Sequence, residues 1–134
     1  MSVFRLVSLL LCVLAAAALA SAAVAQSEFP FAHELILEDD PLPGSKQRPI
    51  LNIGANGEAE IDLWCRSGTA RVAVAGDSIT IVIGPLADRR CTPERDQGDA
   101  RLLADLAQVT SWRREEDLVV LVGPRALSFR MSAH

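Results

Sequence analysis

Tyrosine is absent from this 134-residue chain, and histidine occurs only twice, at His33 and at the C-terminal His134. The chain also lacks a G-x-S-x-G nucleophile motif, an H-E-x-x-H metal motif and a glycine-rich phosphate loop. A lone histidine without a paired nucleophile or a set of metal ligands is usually structural or solvated. Acidic residues are plentiful, but their spacing selects no pair for general acid–base work. The sequence therefore predicts a protein that is not an enzyme and that holds no cofactor.

A concentrated basic surface is also lacking. Apart from Arg5, the chain carries 12 basic and 17 acidic residues, which gives residues 26–134 a net charge of −5. Two arginine pairs are present, Arg89–Arg90 and Arg113–Arg114, but acidic residues stand directly beside both. Because binding to a polyphosphate backbone needs a clustered basic face, the sequence predicts no nucleic-acid partner.

Long apolar runs are confined to the first quarter of the chain. Arg5 supplies a positive start, Leu6–Ala18 an apolar stretch, and Ala23-Val24-Ala25 a small-residue cleavage site, which together are typical of a secretory signal peptide. We expect a signal peptide at residues 1–25 and one periplasmic or secreted domain at residues 26–134, with no stable membrane span after cleavage. An uncleaved anchor is the alternative. Cys12 follows three leucines instead of a small residue, so a lipid anchor is not predicted.

Cysteine is scarce in the predicted mature domain, where Cys65 and Cys91 are the only two. An even pair in a small exported domain indicates a disulfide, and closing a loop of about 26 residues should contribute roughly 3 to 4 kcal/mol on the chain-entropy model. A redox-catalytic pair would be expected in a C-x-x-C motif, and a metal site would need further ligands at suitable spacing. The sequence therefore favours a structural disulfide and predicts no metal site.

Alternating apolar and polar residues indicate strands that bury one face. The turn signal Asn56-Gly57 predicts one tight hairpin, and Ala75-Gly76-Asp77 predicts a second. In the strand after Gly57, acidic residues recur at every second position, which indicates a solvated face; an EF-hand-like run of calcium ligands is missing. The five predicted strands cover residues 33–38, 49–53, 58–64, 69–74 and 78–83, and Gly84-Pro85 is expected to end the fifth.

A helix is predicted after these strands. Thr92 can cap its N-terminus, and Pro93 fits its first turn. Four apolar residues form one stripe that ends near Thr110: Leu102, Leu103, Leu106 and Val109. Three further strands are predicted at residues 111–114, 118–122 and 126–131. The order of five strands, one helix and three strands predicts an α+β fold, mainly antiparallel β, with the sheet curled into a barrel-like shape and packed with one α-helix.

Several of these segments resemble the META domain of HslJ-like proteins, a family of small exported bacterial proteins. The likeness extends from about Phe31 to Met131, and Trp64 stands where the family usually has a small glycine. The resemblance is carried by Asn56-Gly57, by Gly76-Asp77-Ser78-Ile79-Thr80-Ile81, by Gly84-Pro85-Leu86-Ala87-Asp88-Arg89-Arg90-Cys91 and by Asp117-Leu118-Val119-Val120-Leu121. It implies the same barrel fold and an exported accessory role without an established catalytic mechanism.

Two functions are compatible with this sequence. The resemblance implies a non-enzymatic accessory domain of the cell envelope, linked to tolerance of stress such as heat or drugs. The alternative is a small secreted inhibitor or partner-binding module that presents a loop of a disulfide-stapled β barrel. We expect a monomer whose partner is an unknown protein or envelope component. The candidate surface contacts are Trp64, Arg66 and Trp112, although tryptophans in a small barrel more often lie in the core.

Overall fold

The structure is a computed structural model that describes residues 28–39 and 41–133. In these ranges the chain forms five strands, one helix and three further strands, as predicted. They are β1 (Glu34–Leu37), β2 (Ile50–Ile53), β3 (Glu58–Asp62), β4 (Ser67–Ala75), β5 (Ser78–Leu86), α1 (Pro93–Ala107), β6 (Ser111–Glu115), β7 (Leu118–Val122) and β8 (Leu127–Met131). The predicted signal peptide, its cleavage site and Cys12 lie outside the described residues.

The eight strands form a closed antiparallel barrel in which each strand pairs with its neighbours in the chain and β8 returns to β1. The prediction of an α+β fold with a barrel-like sheet is therefore confirmed. The seam between β5 and β6 is the narrowest, with one register pair, Ser78 and Ser111. Helix α1 lies alongside β5. Within the described residues, no helix is both long enough and apolar enough to cross a membrane.

The barrel interior holds one apolar core. Alternate residues of the strands point inward, and the helix contributes Leu102 and Leu106. Burial of each large apolar side chain contributes about 1.5 to 3 kcal/mol. The most completely buried apolar side chains are Phe129, Leu35, Leu37, Ile53, Ile61, Leu63, Ile79, Leu106, Leu121, Leu127 and Val119. This core accounts for the period-two pattern that predicted the strands.

The closing seam between β1 and β8 carries a shared ion pair on its outer side. The guanidinium of Arg130 lies 2.6 Å from a carboxylate oxygen of Glu38 and 2.6 Å from one of Asp117. The hydrogen bond from Arg130 lowers the pKa of Glu38 below its ordinary value. Arg130 on β8 therefore links Glu38, directly after β1, to Asp117 in the turn between β6 and β7.

The prediction that Gly84-Pro85 ends the fifth strand is wrong, because β5 continues to Leu86. The register between β4 and β5 shifts at Thr69, where Gly84 and Pro85 together lie opposite one residue. Such a bulge accepts proline, which has no N–H to give to a ladder. A Cβ atom at position 84 would lie 2.8 Å from the Thr69 hydroxyl oxygen, so the close approach needs glycine.

The helix ends at Ala107, three residues before the predicted end at Thr110. The N–H of Gln108 donates to the carbonyl of Asp105, and that of Val109 donates to the carbonyl of Leu106, so the last turn tightens to three-residue spacing. The N–H of Thr110 then donates to the carbonyl of Val122 on β7. Pairing with the sheet, which periodicity along one segment cannot show, ends the helix.

Candidate functional site

The disulfide between Cys65 and Cys91 is present, and the prediction of a structural staple is confirmed. Cys65 lies in the loop between β3 and β4, and Cys91 lies between β5 and the helix; their Cα atoms are 5.9 Å apart. The bond therefore closes the open end of the β4–β5 hairpin. It also ties the Cys65 loop, defined here as Trp64–Arg66, to the start of α1.

A second attachment of the Cys65 loop comes from the buried side chain of Asp99, which is only 2% exposed. One carboxylate oxygen accepts the backbone N–H groups of Trp64 at 2.9 Å and Cys65 at 3.3 Å, and the other accepts that of Arg66 at 2.9 Å. An ionised carboxylate offers only acceptors, which suits three converging donors. Asp99 thus holds the loop backbone from the helix side.

Asp99 was not among the residues singled out from the sequence. The available signal was its position, since Asp99, Leu102 and Leu106 follow one another at spacings of three and four on one helical face. A carboxylate on an apolar helical face is costly to bury unless it is hydrogen-bonded. Such a position therefore predicts nearby donors, although it does not say which segment supplies them.

The two cysteine sulfurs and an Asp99 oxygen all lie within 4.8 Å of one another. These are the residue types that bind zinc, which takes thiolate sulfur as a ligand. Here the sulfurs are bonded to each other and both Asp99 oxygens accept backbone N–H groups. The cluster is therefore accounted for by the fixation of the Cys65 loop.

The candidate contacts at the Cys65 loop are partly covered. The guanidinium of Arg66 lies 2.9 Å from a carboxylate oxygen of Asp96, and its side chain is 35% exposed. The ring of Trp64 is half-buried and packs above Gly98, where an added Cβ atom would lie 3.1 Å from the ring. The indole Nε1 of Trp64 and the Nε of Arg66 are buried without a hydrogen-bond partner in the described part of the chain.

Trp112 is not a surface contact, and that prediction is wrong. Its side chain is 6% exposed, and the ring of Phe29 packs edge-on against it at a centroid distance of 5.0 Å. The indole N–H donates to the carbonyl of Gly76 in the β4–β5 turn at 2.8 Å. The ring fills the barrel because its one polar atom finds a partner there.

A groove of about 840 Å³ lies on the outer face of β2–β5. Cross-strand register places Asn52 beside Glu60 and Glu60 beside Thr69, and in a second row it places Arg71 beside Val82. The burial pattern of these strands turns those side chains outward. The groove is lined by Ala32, His33, Asn52, Ile53, Gly54, Asn56, Glu58, Ala59, Glu60, Thr69, Ala70, Arg71, Val82, Gly84 and Pro85.

The groove combines an apolar wall with a carboxylate. Val82 is 60% exposed and is the one large exposed apolar side chain among the described residues. Glu58 lies 3.6 Å from Arg71, but both side chains are mostly exposed, so this ion pair contributes little. Glu60 has no salt bridge in the described part of the chain. The acidic face predicted to be solvated is indeed exposed, and the fold places two of its residues, Glu58 and Glu60, in a concave surface.

No family model matches this chain, and no curated protein matches it. Among solved structures, one determined by NMR is similar, with a TM-score of 0.57 and 16% sequence identity. The similarity covers 75% of this chain and 89% of that one. At this identity, the similarity supports the barrel fold alone.

Proposed function

We propose that this chain is an exported, non-catalytic accessory domain of the cell envelope that binds a partner through the groove on β2–β5. The observation that carries the proposal is the exposed Val82 at a concave surface. The groove volume of about 840 Å³ lies in the range of binding clefts, about 300 to 1,000 Å³. The core of the barrel is filled by other residues, and an apolar side chain exposed at a concave surface is typical of binding clefts.

The location rests on three observations of different kinds. The N-terminal segment has the features of a signal peptide. The Cys65–Cys91 disulfide is of a type that persists in oxidising compartments such as the periplasm. The resemblance to the META domain of HslJ-like proteins implies export and, in some members, a link to stress tolerance. Together they support an envelope role for a domain that acts by binding.

The groove proposal is tested by complementation with Val82→Asp. A strain lacking the gene should survive heat or envelope stress less well than its parent, and the wild-type gene should restore survival. Val82→Asp should fail to restore it, because a carboxylate would replace the apolar contact. Its free energy of unfolding should fall by no more than about 1 kcal/mol, since Val82 is exposed and the strand propensities of Val and Asp differ by about that amount.

The matched control is Thr80→Asp, which adds the same charge two residues away on the same outward face of β5 but outside the groove. It should restore survival fully at equal protein levels. Full restoration by Val82→Asp, or the absence of a phenotype in the deletion strain, would overturn the proposal.

The inhibitor alternative is favoured by one feature, the rigid Cys65 loop. A loop held by a disulfide and by the Asp99 carboxylate is preorganised, which lowers the entropic cost of binding. In that case the exported protein should capture one hydrolase from a periplasmic extract, and Arg66→Ala should abolish capture while Val82→Asp retains it. If Val82→Asp abolished capture and Arg66→Ala retained it, the result would favour the groove.

Export itself predicts a defined N-terminus. If the A-x-A site is cleaved, the mature chain should begin at Gln26. Mass spectrometry of the intact protein from the periplasmic fraction measures this directly, and Ala25→Asp, which disrupts the cleavage site, should retain the longer form. A wild-type chain that starts at Met1, or one lipidated at Cys12, would contradict the export model.

A further inference from the structure

We infer that the partner segment held by the groove on β2–β5 is an extended polypeptide that presents a cationic side chain to Glu60 and an apolar side chain to Val82. This inference rests on the proposed function, since it names the chemistry of what the groove binds. It follows from the positions of the charged and apolar side chains on β2–β5 and from the distance between them.

The charge requirement comes from Glu60. In the cross-strand register its neighbours are the neutral side chains of Asn52 and Thr69, one on each side. Glu58, the other acidic residue in the lining, is already beside Arg71. The basic residue in the lining, Arg71, is diagonal to Glu60 across β3 and β4 and pairs with Glu58, and Glu60 forms no ion pair with any described residue. A lysine or arginine from a partner would complete the pair, and a partner carboxylate would be repelled.

The apolar requirement comes from the opposite wall. Val82 exposes 60% of its surface, and Pro85 lies in the same lining beyond the bulge. Covering Val82 with an apolar side chain removes this surface from water, at about 25 cal/mol for each Å² buried. A wholly polar or wholly cationic segment would leave the apolar surface of Val82 and Pro85 exposed to water.

The distance between Glu60 and Val82 sets the spacing of the cationic and apolar side chains in the partner. Glu60 lies on β3 and Val82 on β5, and the register aligns Val82 through Arg71 with Glu58, two residues along β3 from Glu60. Two strand spacings of about 4.8 Å and one two-residue step of about 7 Å therefore separate Glu60 from Val82 by roughly 12 Å. In an extended chain, side chains at positions i and i+2 share one face and lie about 7 Å apart. A lysine or arginine side chain spans the remainder. The partner motif is therefore a cation two residues away from an apolar residue.

A second copy of this chain is a poorer occupant. Residues 26–134 carry a net charge of −5, which opposes association of two identical molecules. The eight strands of such a copy are paired within its own closed barrel, so presenting one of them to the groove would disrupt that pairing.

The test uses the exported protein purified from the periplasm and three fluorescein-labelled peptides. The first is acetyl-Ser-Lys-Ser-Leu-Ser-Lys-Ser-Leu-Ser-amide; the second replaces both Lys by Glu, and the third replaces both Leu by Ser. Fluorescence anisotropy gives each Kd, and amide chemical shifts map the site. We expect the first peptide to bind at least tenfold more tightly than the other two, with shifts confined to the groove.

Glu60→Lys should reverse the preference, so that the Glu peptide binds more tightly than the Lys peptide. Asp62→Lys is the matched control, since it makes the same charge change on the same face of β3 outside the groove lining. It should preserve the preference of the wild type for Lys. A general attraction to negative charge would make the two variants alike and would overturn the inference.

The outcomes separate this inference from the proposed function. Equal binding of the Lys and Glu peptides, or shifts outside the groove, would overturn the inference, while failed complementation by Val82→Asp would still support the groove. A dimer in sedimentation velocity that Val82→Asp dissociates would show a second copy to be the occupant and would also overturn it.

Discussion

Cys65→Ala should lower the free energy of unfolding by about 2 to 5 kcal/mol, the range for removing a native disulfide from a small secreted domain. The bond joins cysteines 26 positions apart in the chain, and the chain-entropy model gives roughly 3 to 4 kcal/mol for a loop of this length. This is a substantial share of the roughly 5 to 15 kcal/mol that stabilises a typical domain. Urea unfolding of a chain of residues 26–134 measures the change.

Cys91→Ala is the internal control, because either single variant breaks the same bond and the two losses should be nearly equal. A native wild-type chain of residues 26–134 should show no free thiol on titration. Function should fall only as far as folding falls. Two thiols that label in the native state, together with unchanged melting, would end the staple hypothesis.

The second large effect is expected at Asp99. Asp99→Ala should lower the free energy of unfolding by about 3 to 4 kcal/mol, because backbone donors of the Cys65 loop lose a charged acceptor and stay partly buried. Asp99→Asn keeps one oxygen as an acceptor and should be intermediate. Thermal and urea melts of both variants, with the disulfide intact, measure this ordering.

Asp96→Ala serves as the control for Asp99. It lies three residues earlier on α1, pairs with the Arg66 guanidinium and is 52% exposed, so its removal should change stability by less than about 1 kcal/mol. If Asp99→Ala were as mild as Asp96→Ala, the carboxylate would not be what holds the loop. The Asp99 and Cys65 substitutions act on one loop, so their effects should not add.

These two attachments explain how the fold presents its two candidate surfaces. The disulfide and Asp99 hold the Cys65 loop against the helix, which leaves Arg66 partly exposed beside Asp96. The groove depends instead on the register of β2–β5 and on the bulge at Thr69. Loss of the staple should therefore disturb the loop before the groove. The chemical shifts of Glu60 and Val82 in a folded Cys65→Ala sample can check this order.

The local sequence pattern was sufficient to predict the strands, the helix and their order along the chain. Period-two alternation predicted β3, β4 and β5, because each of these strands buries one face in the barrel. The run Leu118–Val122 is apolar throughout and buries three successive residues, so alternation does not account for β7. The glycine turns predicted two hairpins because those turns require backbone that glycine adopts readily. Thr92 and Pro93 predicted the helix start, where Thr92 does accept the N–H of Arg95. Cys65 and Cys91 predicted their bond because an even pair in a small domain that is expected to be exported indicates a disulfide.

Only the tertiary structure decided the features that depend on contacts between distant segments. The bulge that carries β5 through Gly84 and Pro85 depends on Thr69 of the neighbouring strand. Asp99 gains its role from backbone N–H groups that lie more than 30 positions earlier in the chain. Trp112 packs in the apolar core against Phe29, and the carbonyl of Gly76 satisfies its one polar atom by accepting the indole N–H.

The groove shows the same division between local pattern and three-dimensional placement. Alternation along β3 was enough to predict that Glu60 points outward, since that property follows from the pleat of one strand. The position of Glu60 between Asn52 and Thr69, across from Val82, follows from cross-strand register and barrel curvature. Register is set by pairing among several strands at once. The sequence therefore determined which side chains face water, and the closed sheet decided which of them share a surface.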